Sequence, residues 1–392
     1  MKKIEDEKDL SKKKILLRLD LNVPLKNGVI IDTTRIDKIL PTLNFLLKNN
    51  SKIIIISHIG RPNGKIDTKL SMRPVSDYLS LKLSEKIKFV SGNIFDVNPN
   101  LFFSRPEEKI VMLENIRFYE EEEKNNEKFA ELLSKLGDIY VNDAFSCSHR
   151  AHASIDEITN FLPCYSGLQL DLEVGALKKI TSEIKKPITC IIGGSKVSTK
   201  INIIKNLIPK FDNIIIVGGM ANNIIKYMGN QIGKSLKEEN CDPIIKEIIS
   251  LSETENCKII YPQDAVVGKN LNGSPQTKEL SEISSDEMIL DIGPKTIGII
   301  KNIIDKSNTI LWNGPAGYFE NPSFANGSIE IAKKIIENNK SNKIYSVAGG
   351  GDTVSLLNSL NAVNDFNFVS TAGGAFLEYL EGKELPGIKA LN

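Results

Sequence analysis

Short runs of isoleucine, leucine and valine alternate along the whole chain with amphipathic segments. The apolar runs include residues 52–56 (KIIII), 213–217 (NIIIV) and 309–312 (TILW). Continuous apolar runs of this length favour strands that are buried on both faces. The segments between them, such as 33–49 and 294–306, repeat apolar residues at helical spacing. Because strands that alternate with helices form parallel sheets, the sequence predicts an α/β fold.

Two domains are expected, because 392 residues exceed what one hydrophobic core usually supports. The residue types also differ between the two parts of the chain. All arginines and histidines lie before residue 153, whereas most of the 27 glycines follow residue 170. The helix-like segment 167–186 coincides with this change. We therefore place the domain boundary there and expect the two halves to bind different ligands.

The composition excludes several classes of partner. A net charge of +1, from 50 basic and 49 acidic residues, supplies no broad field for nucleic acid or an anionic membrane. The charged start lacks the apolar core of a signal peptide, and no apolar run approaches the roughly 18 residues of a membrane span. The five cysteines include no C-x-x-C pair, which argues against a disulfide framework or a zinc site. We expect a cytoplasmic protein that contacts neither nucleic acid nor membrane.

The chemically unusual residues follow the predicted strands. Open α/β sheets bind ligands at the carboxyl edge of their strands. In this chain, charged residues, asparagines and glycines lie at or just after the ends of the predicted strands. They are Arg18, Asp20, His58, Asn115, Asn142, Gly193, Gly218, Asn313, Gly349 and Gly373. The sequence thus predicts a ligand site along the strand ends of each half.

The glycine-rich half favours phosphate binding. The segment GGSKVSTK at 193–200 follows an apolar run and opens a helical pattern, so it predicts an anion site with Lys196 and Lys200 one helical turn apart. A plain strand-to-helix turn is the alternative. Similar glycine pairs or triplets at 218–219, 349–351 and 373–374 weaken that alternative. There is neither a Walker A loop nor a G-x-G-x-x-G motif, since GNQIGKS at 229–235 is one residue short.

Asp352 is the candidate magnesium ligand in this half. It follows three glycines, where a metal ion that bridges phosphates would need a carboxylate oxygen, and Thr353 lies beside it. A helix N-cap is the alternative role for this aspartate. Asn313 and Glu320, in WNGPAGYFE, are candidates for a phosphate and for paired ribose hydroxyls.

The arginine-rich half favours an anion clamp. His58 lies three residues before Arg61, and Arg150 lies between His149 and His152. A metal site is a poor interpretation, because the guanidinium would repel the ion. A buried core histidine would not favour an arginine neighbour either. A guanidinium grips carboxylate or phosphate with two parallel hydrogen bonds, so an anion clamp in which the histidines position Arg150 fits best.

Motifs from one end of the chain to the other resemble those of the phosphoglycerate kinase family, in family order. They are RLDLNVP (18–24), SHIGRP (57–62), LENIRF (113–118), DAFSCSHRAHAS (143–154), GGSKVSTK (193–200), WNGPAGYFE (312–320), AGGGDT (348–353) and STAGGAFLEYLEGKELPG (370–387). Two departures are SCS at 146–148, where the family often has Gly-Thr-Ala, and Ala372 within STAGGA. Neither departure removes a charged ligand, so only local backbone detail is affected.

The resemblance implies an architecture and an activity. Two Rossmann-like domains with parallel sheets would be joined by an interdomain helix, one for 3-phosphoglycerate (1–168 with the C-terminal segment 376–392) and one for the nucleotide (169–375). The implied reaction is the reversible transfer of the acyl phosphate of 1,3-bisphosphoglycerate to Mg-ADP, which gives ATP and 3-phosphoglycerate in glycolysis and gluconeogenesis. A monomer whose domains close for in-line transfer is expected.

The resemblance also implies roles for individual residues. The expected substrate ligands are Asp20, Asn22, Arg35, His58, Arg61, Arg117 and Arg150. The expected nucleotide ligands are Gly194, Lys196, Lys200, Gly218, Gly219, Leu290, Asn313, Pro315, Glu320, Gly350, Gly351, Asp352 and Thr353, with Asp352 also on Mg²⁺. The expected catalytic residues are Arg35, Lys196, Gly373 and Gly374.

The sequence argues against two other functions. A kinase of another acyl phosphate, acting on acetate or carbamate, would not need three arginines and a histidine for a second phosphate. A non-catalytic nucleotide-binding or scaffold protein predicts the loss of Lys196, Asp352 or Arg35, and none of these is missing. The sequence therefore favours the phosphoglycerate kinase reaction.

Overall fold

The computed structural model describes residues 1–392, which form two compact units. Unit 1 comprises Met1–Gly175 and Glu384–Asn392, and unit 2 comprises Ala176–Lys383. A helix within the segment 167–186 crosses from one unit to the other along the chain. No helix in the structure is long and apolar enough to cross a membrane.

Unit 1 contains one parallel sheet and a short ribbon. Its strands are β1 (Lys14–Leu19), β2 (Leu25–Lys26), β3 (Val29–Ile30), β4 (Lys52–Ile56), β5 (Ile87–Val90), β6 (Ile110–Leu113), β7 (Ile139–Asp143) and β8 (Cys164–Ser166). Six of them pair in the order β5-β6-β4-β1-β7-β8, and all of these pairs are parallel. Strands β2 and β3 pair antiparallel beside the sheet. The parallel sheet predicted for this half is confirmed.

The helices of unit 1 cover this sheet. They are α1 (Thr34–Lys48), α2 (Arg73–Leu83), α3 (Glu120–Glu123), α4 (Glu127–Ser134) and the start of α5 (Leu168–Thr181). Isoleucines of β4 and leucines of β1 are fully buried in the core, where Leu43 and Leu46 of α1 pack. Their side chains lie against both faces of the sheet, as the apolar runs predict.

Unit 2 contains two sheets of different kinds. Its strands are β9 (Ile188–Gly193), β10 (Asn213–Val217), β11 (Lys258–Ile260), β12 (Asp264–Gly268), β13 (Gln276–Glu279), β14 (Met288–Ile292), β15 (Thr309–Asn313), β16 (Tyr345–Gly349) and β17 (Phe368–Ser370). A six-stranded parallel sheet has the order β11-β10-β9-β15-β16-β17. Strands β13-β12-β14 form a separate antiparallel sheet.

The helix predicted at 294–306 is confirmed among the helices of unit 2, whereas the helix predicted directly after β9 is an exception. The helices of this unit are α6 (Ile201–Leu207), α7 (Ala221–Tyr227), α8 (Asp242–Thr254), α9 (Pro294–Lys306), α10 (Asn326–Lys340), α11 (Gly351–Ser359) and α12 (Gly374–Leu380), and α13 (Pro386–Lys389) returns to unit 1. Helix α9 coincides with the predicted segment, because Pro294 suits the first helical position.

The exception is the segment after β9, which the sequence analysis predicts to open as a helix. Residues 194–200 form turns instead, and α6 begins only after Lys200. Lys196 and Lys200 are therefore not one helical turn apart, and that prediction is wrong. Ser198 is held away from a helical path because its backbone N–H donates to Glu238 Oε2 (3.0 Å) and its hydroxyl also donates to that carboxylate.

Candidate active site

The carboxyl edge of the unit 1 sheet collects the predicted cations. The loops after β1, β4, β6 and β7 carry Asp20 and Asn22, His58 and Arg61, Arg117, and Arg150, respectively. Strand β1 lies between β4 and β7, and β6 lies on the other side of β4. These loops therefore emerge side by side, as the placement of the motifs predicts.

Arg35 is bound to the loop after β1, which is in turn joined to the loop after β4. It lies in the first turn of α1, where its Nη1 donates to Asp20 Oδ1 (2.9 Å) and to the carbonyl oxygen of Asn22 (3.2 Å). The Asn22 side chain in turn accepts from the backbone N–H of Gly60 (2.9 Å). The structure thus brings together three of the predicted substrate residues.

The guanidinium of Arg117 is buried, and its Nε has no hydrogen-bond partner. Its Nη1 donates to the carbonyl oxygen of Gly60 (3.2 Å), and Nε lies 3.6 Å from Glu123 Oε1. Asn115 fixes the loop by accepting from the Arg117 backbone N–H (3.1 Å) and donating to Ile59 O (2.8 Å). Burial lowers the pKa of Arg117 without neutralising it, so a buried positive charge remains for an anion.

Arg61 and Arg150 differ from Arg117 in that both are exposed. Arg150 donates from Nε to Nε2 of His149 (3.2 Å), so this histidine contacts the arginine as the sequence predicts. His58 does not share that role. Its arginine partner is Arg18, whose Nη2 lies 3.2 Å from His58 Nδ1. His152 lies 3.9 Å from Glu122 Oε1 instead.

Both buried histidines of this cluster are neutral near pH 7. Burial, followed by the charges of Arg18 and Arg117, lowers the pKa of His58 well below its usual range. Burial and the same two arginines lower the pKa of His152 to about 3. The histidines can therefore offer hydrogen bonds but no charge, and any bound anion is neutralised by the arginines.

The carboxyl edge of the unit 2 sheet borders a pocket of about 270 Å³. Its walls come from the loops after β9, β10 and β15, from β14 and from the start of α11. The predicted nucleotide residues that line it are Gly194, Gly218, Gly219, Leu290, Pro315, Glu320 and Asp352. The walls are mainly apolar, with polar groups at a few positions, which suits a flat aromatic base attached to a polar group.

Close backbone contact forms one wall of this pocket. A Cβ on Gly193 would lie 2.4 Å from Pro315 O, and one on Gly314 would lie 2.3 Å from Gly193 O. Gly314 also has φ +102°, a conformation that favours glycine. The ends of β9 and β15 can therefore approach this closely only because both residues lack side chains.

We expect Gly193→Ala to destabilise unit 2 by about 1–3 kcal/mol, because the added methyl group must displace the backbone at Pro315. The same shift moves the pocket wall, so the KM for nucleotide should rise. Urea titration and steady-state kinetics measure the two effects. Gly298→Ala is the matched control, since it lies in α9 with open space around its Cβ and should stabilise by roughly 0.4–1 kcal/mol. A Gly193→Ala protein as stable as the wild type would contradict the contact.

A second cluster lies at the ends of β15 and β16. Lys200 Nζ donates to Asn313 Oδ1 (2.6 Å), and Asn313 Nδ2 donates to Gly349 O (2.7 Å). The Thr353 hydroxyl accepts from the backbone N–H of Gly314 (2.7 Å). Burial lowers the pKa of Lys200, with Asp352 among the groups that raise it. This part of the predicted nucleotide set is thus joined by direct hydrogen bonds.

The remaining predicted residues of unit 2 lie at the same sheet edge. Gly350 has φ +96° and precedes α11, which Gly351 begins. Gly373 has φ +49°, and a Cβ on it would meet open space; Gly374 begins α12. Lys196 is exposed in the turn after β9.

Asp352 meets the chemical requirement for a magnesium ligand, although it is a single carboxylate. It is exposed in the first turn of α11, faces the pocket and does not cap the helix. The structure contains no group of three His, Cys, Asp or Glu side chains that could hold a metal ion alone. Mg²⁺ prefers octahedral oxygen ligands and often takes most of them from phosphates and water, so one carboxylate fits an ion carried by a nucleotide.

Sequence reasoning placed Arg18 at the edge of the sheet but missed two buried residues that continue its hydrogen-bond network, Ser154 and Glu122. Arg18 itself lies inside β1 and is fully buried. Glu122 gave no signal, because it belongs to a run of four glutamates that is typical of a solvated helix.

Comparisons with known proteins agree across the chain. A family model described as phosphoglycerate kinase matches residues 4–383. The chain is 42% identical over 392 residues to a phosphoglycerate kinase of Chelativorans sp. (strain BNC1), covering 100% of this chain and 98% of the relative. It is 45% identical over 388 residues to that of Bartonella bacilliformis, covering 98% and 97%. The structure of phosphoglycerate kinase from Coxiella burnetii superposes with a TM-score of 0.92 at 36% identity, covering 99% and 98%.

Proposed function

The chain belongs to the phosphoglycerate kinase family, and we propose that the cationic edge of unit 1 binds 3-phosphoglycerate while the pocket of unit 2 binds ATP or ADP. The family reaction is phosphoryl transfer between 1,3-bisphosphoglycerate and ADP, with a carboxyl group as the acceptor in reverse. The family uses ATP and ADP, generally with Mg²⁺.

The observation that carries the substrate assignment is the buried Arg117 Nε, which makes no hydrogen bond and has only an ion pair at 3.6 Å with Glu123 Oε1. A buried donor without a partner is costly, and a phosphate oxygen would relieve that cost. Arg61, Arg150 and His58 lie on neighbouring loops of the same edge. We assign these four residues to the phosphate that is not transferred, and Asp20, Asn22 and Arg35 to the glycerate end.

The nucleotide assignment rests on the pocket wall. Gly194, Gly218, Gly219, Leu290 and Pro315 would contact adenosine, and Glu320 the ribose hydroxyls. Lys196, Lys200, Asn313, Gly350, Gly351 and Thr353 would contact phosphates. Asp352 would hold Mg²⁺, which when bound neutralises phosphate charge.

Catalysis requires no general base, because the accepting carboxylate is already ionised near neutral pH. The protein must align the reactants and supply positive charge to a loose phosphoryl transition state. We assign the charge to Arg35 and Lys196, and backbone N–H donors to Gly373 and Gly374. Arg35 is already oriented by Asp20 toward the glycerate end. We further propose that the protein works as a monomer in the cytoplasm.

A coupled assay tests the assignment of substrate. ATP consumption should require 3-phosphoglycerate, and acetate or carbamate at the same concentration should give no turnover above background. Turnover with acetate comparable to that with 3-phosphoglycerate would favour the alternative acyl-phosphate kinase.

Arg117→Lys should raise the KM for 3-phosphoglycerate about tenfold and change kcat much less. Lysine keeps the charge but loses the Nε donor, and a hydrogen bond to a charged group contributes about 1.5 kcal/mol. Steady-state kinetics at saturating Mg-ATP measures the change. Arg105→Lys is the control, since Arg105 is exposed and lies outside the cationic edge. An unchanged KM in folded Arg117→Lys protein would remove Arg117 from the phosphate site.

A further inference from the structure

The fully buried guanidinium of Arg18 touches no carboxylate. Its hydrogen-bond partners are the Ser154 hydroxyl (Nε, 2.9 Å), the Leu19 carbonyl oxygen (Nη1, 2.7 Å) and His58 Nδ1 (Nη2, 3.2 Å), with Cys147 Sγ at 3.9 Å from Nη2. A buried cation needs a compensating anion nearby. The source of that compensation therefore lies beyond these contacts.

Glu122 supplies the compensating charge through one hydroxyl group. It is fully buried, and its two oxygens accept from Ser154, Oε1 from the hydroxyl (2.6 Å) and Oε2 from the backbone N–H (2.9 Å). Burial raises the pKa of Glu122, and the charge of Arg18 lowers it. The Ser154 backbone is fixed independently, because its carbonyl accepts from Tyr140 Oη (2.6 Å).

The donor and acceptor of each hydrogen bond from Glu122 to His58 follow from the chemistry of the groups. A guanidinium only donates, so Ser154 Oγ accepts from Arg18 and gives its single proton to Glu122. At the other end His58 Nδ1 must accept from Arg18. Because the neutral imidazole has one proton, that proton lies on Nε2.

The His58 Nε2 atom is free to bind a ligand. Both hydrogen-bond contacts of the ring, to Arg18 and to Cys147, are made through Nδ1. His58 is 3% exposed, and no hydrogen bond in the structure involves Nε2. If the proton were on Nδ1, Nε2 would carry a lone pair, which repels a phosphate oxygen.

We propose that Glu122 and Ser154 are positioning residues which, through Arg18, keep the His58 proton on Nε2, where it is donated to the non-transferred phosphate of 3-phosphoglycerate. This inference rests on the proposed function, because that function places the phosphate at His58. Neither Glu122 nor Ser154 touches substrate. Their effect is on the tautomer of the residue that does.

The tautomer is measured without substrate by ¹⁵N NMR of the histidine rings at neutral pH, with His58 assigned by comparison with His58→Gln. In the wild type we expect an unprotonated Nδ1 and a protonated Nε2. Ser154→Ala removes the link between Arg18 and Glu122 and should give a mixture of tautomers. The KM for 3-phosphoglycerate should rise in inverse proportion to the fraction of molecules that keep the proton on Nε2, about twofold for an equal mixture, while the KM for ATP stays unchanged. Glu122→Gln should shift both measurements in the same direction.

Two matched controls separate positioning from packing. Ser148→Ala removes another fully buried serine hydroxyl, which donates only to Ala144 O (3.4 Å), and Glu120→Gln changes an exposed glutamate of the same helix. Both should keep the wild-type tautomer and KM. If Glu122→Gln does not fold, Ser154→Ala and Ser148→Ala still form a complete comparison.

Four outcomes test the inference. Folded Ser154→Ala protein with the wild-type tautomer and KM would overturn the inference, as would an equal shift in Ser148→Ala. If His58→Gln leaves the KM for 3-phosphoglycerate unchanged, the phosphate site itself is wrong, and the proposal falls with it whatever the tautomer is. A raised KM in His58→Gln together with a mixed tautomer in Ser154→Ala supports both.

Discussion

Arg35→Ala should lower kcat on the order of 10²–10³-fold while the fold remains intact. The guanidinium is held by Asp20 and the Asn22 carbonyl, beside the residues that we propose for the glycerate end of the substrate. We expect it to bridge the reacting carboxylate and the phosphoryl group in flight. Such a contact stabilises the transition state more than the bound substrate, so its loss appears in kcat.

Substitution by lysine separates charge from geometry at this position. Arg35→Lys should recover little activity, because one ammonium group cannot span oxygens on two different groups. Circular dichroism checks the fold, and nucleotide titration should show only a modest change in affinity. Arg105→Ala, which removes an exposed arginine elsewhere in unit 1, should leave kcat unchanged.

A raised KM with near-normal kcat in Arg35→Ala would place Arg35 in the binding clamp. Another cation would then have to supply the transition-state charge. Steady-state kinetics with 3-phosphoglycerate and Mg-ATP distinguishes the two results, because uniform binding affects KM and transition-state binding affects kcat.

The strands could be predicted from the sequence, because a strand that is buried on both faces is a continuous run of apolar residues. The sequence cannot predict their partners. The sequence analysis predicts parallel sheets, yet the apolar strand β14 pairs antiparallel with β12, so that prediction is wrong for this strand. The residues of an apolar strand do not indicate which strand pairs with it. The length and path of the connections between strands determine the pairing.

The same limit applies to the site. Asp20, His58 and Arg117 could be predicted to lie at one edge, since they follow different strands of one parallel sheet and strand ends share an edge. The partner of His58 could not. Arg61 lies three residues away in sequence, but Arg18, forty residues away, contacts the ring because β1 and β4 are adjacent. Glu122 was hidden for a similar reason, since only packing of α3 against the 152–154 segment buries it.

Lys196→Ala should also lower kcat by roughly 10²–10³-fold, with little effect on stability. Lys196 is exposed in the turn after β9, so truncation breaks no buried contact and should change the free energy of unfolding within about 0.5 kcal/mol. We expect its ammonium group to stabilise the negative charge that develops on the γ-phosphoryl oxygens of ATP in the transition state.

Lys200→Met provides the contrast that makes the Lys196 result interpretable. Lys200 is half-buried and hydrogen-bonded to Asn313, so its loss should disturb the ends of β15 and β16 and raise the KM for nucleotide as well as lower kcat. Lys205→Ala, on α6 and paired with Glu247, is the control and should behave as the wild type. If Lys196→Ala instead raised only the KM for ATP, its charge would act equally on the bound nucleotide and on the transition state, and Lys196 would be a binding residue rather than a catalytic one.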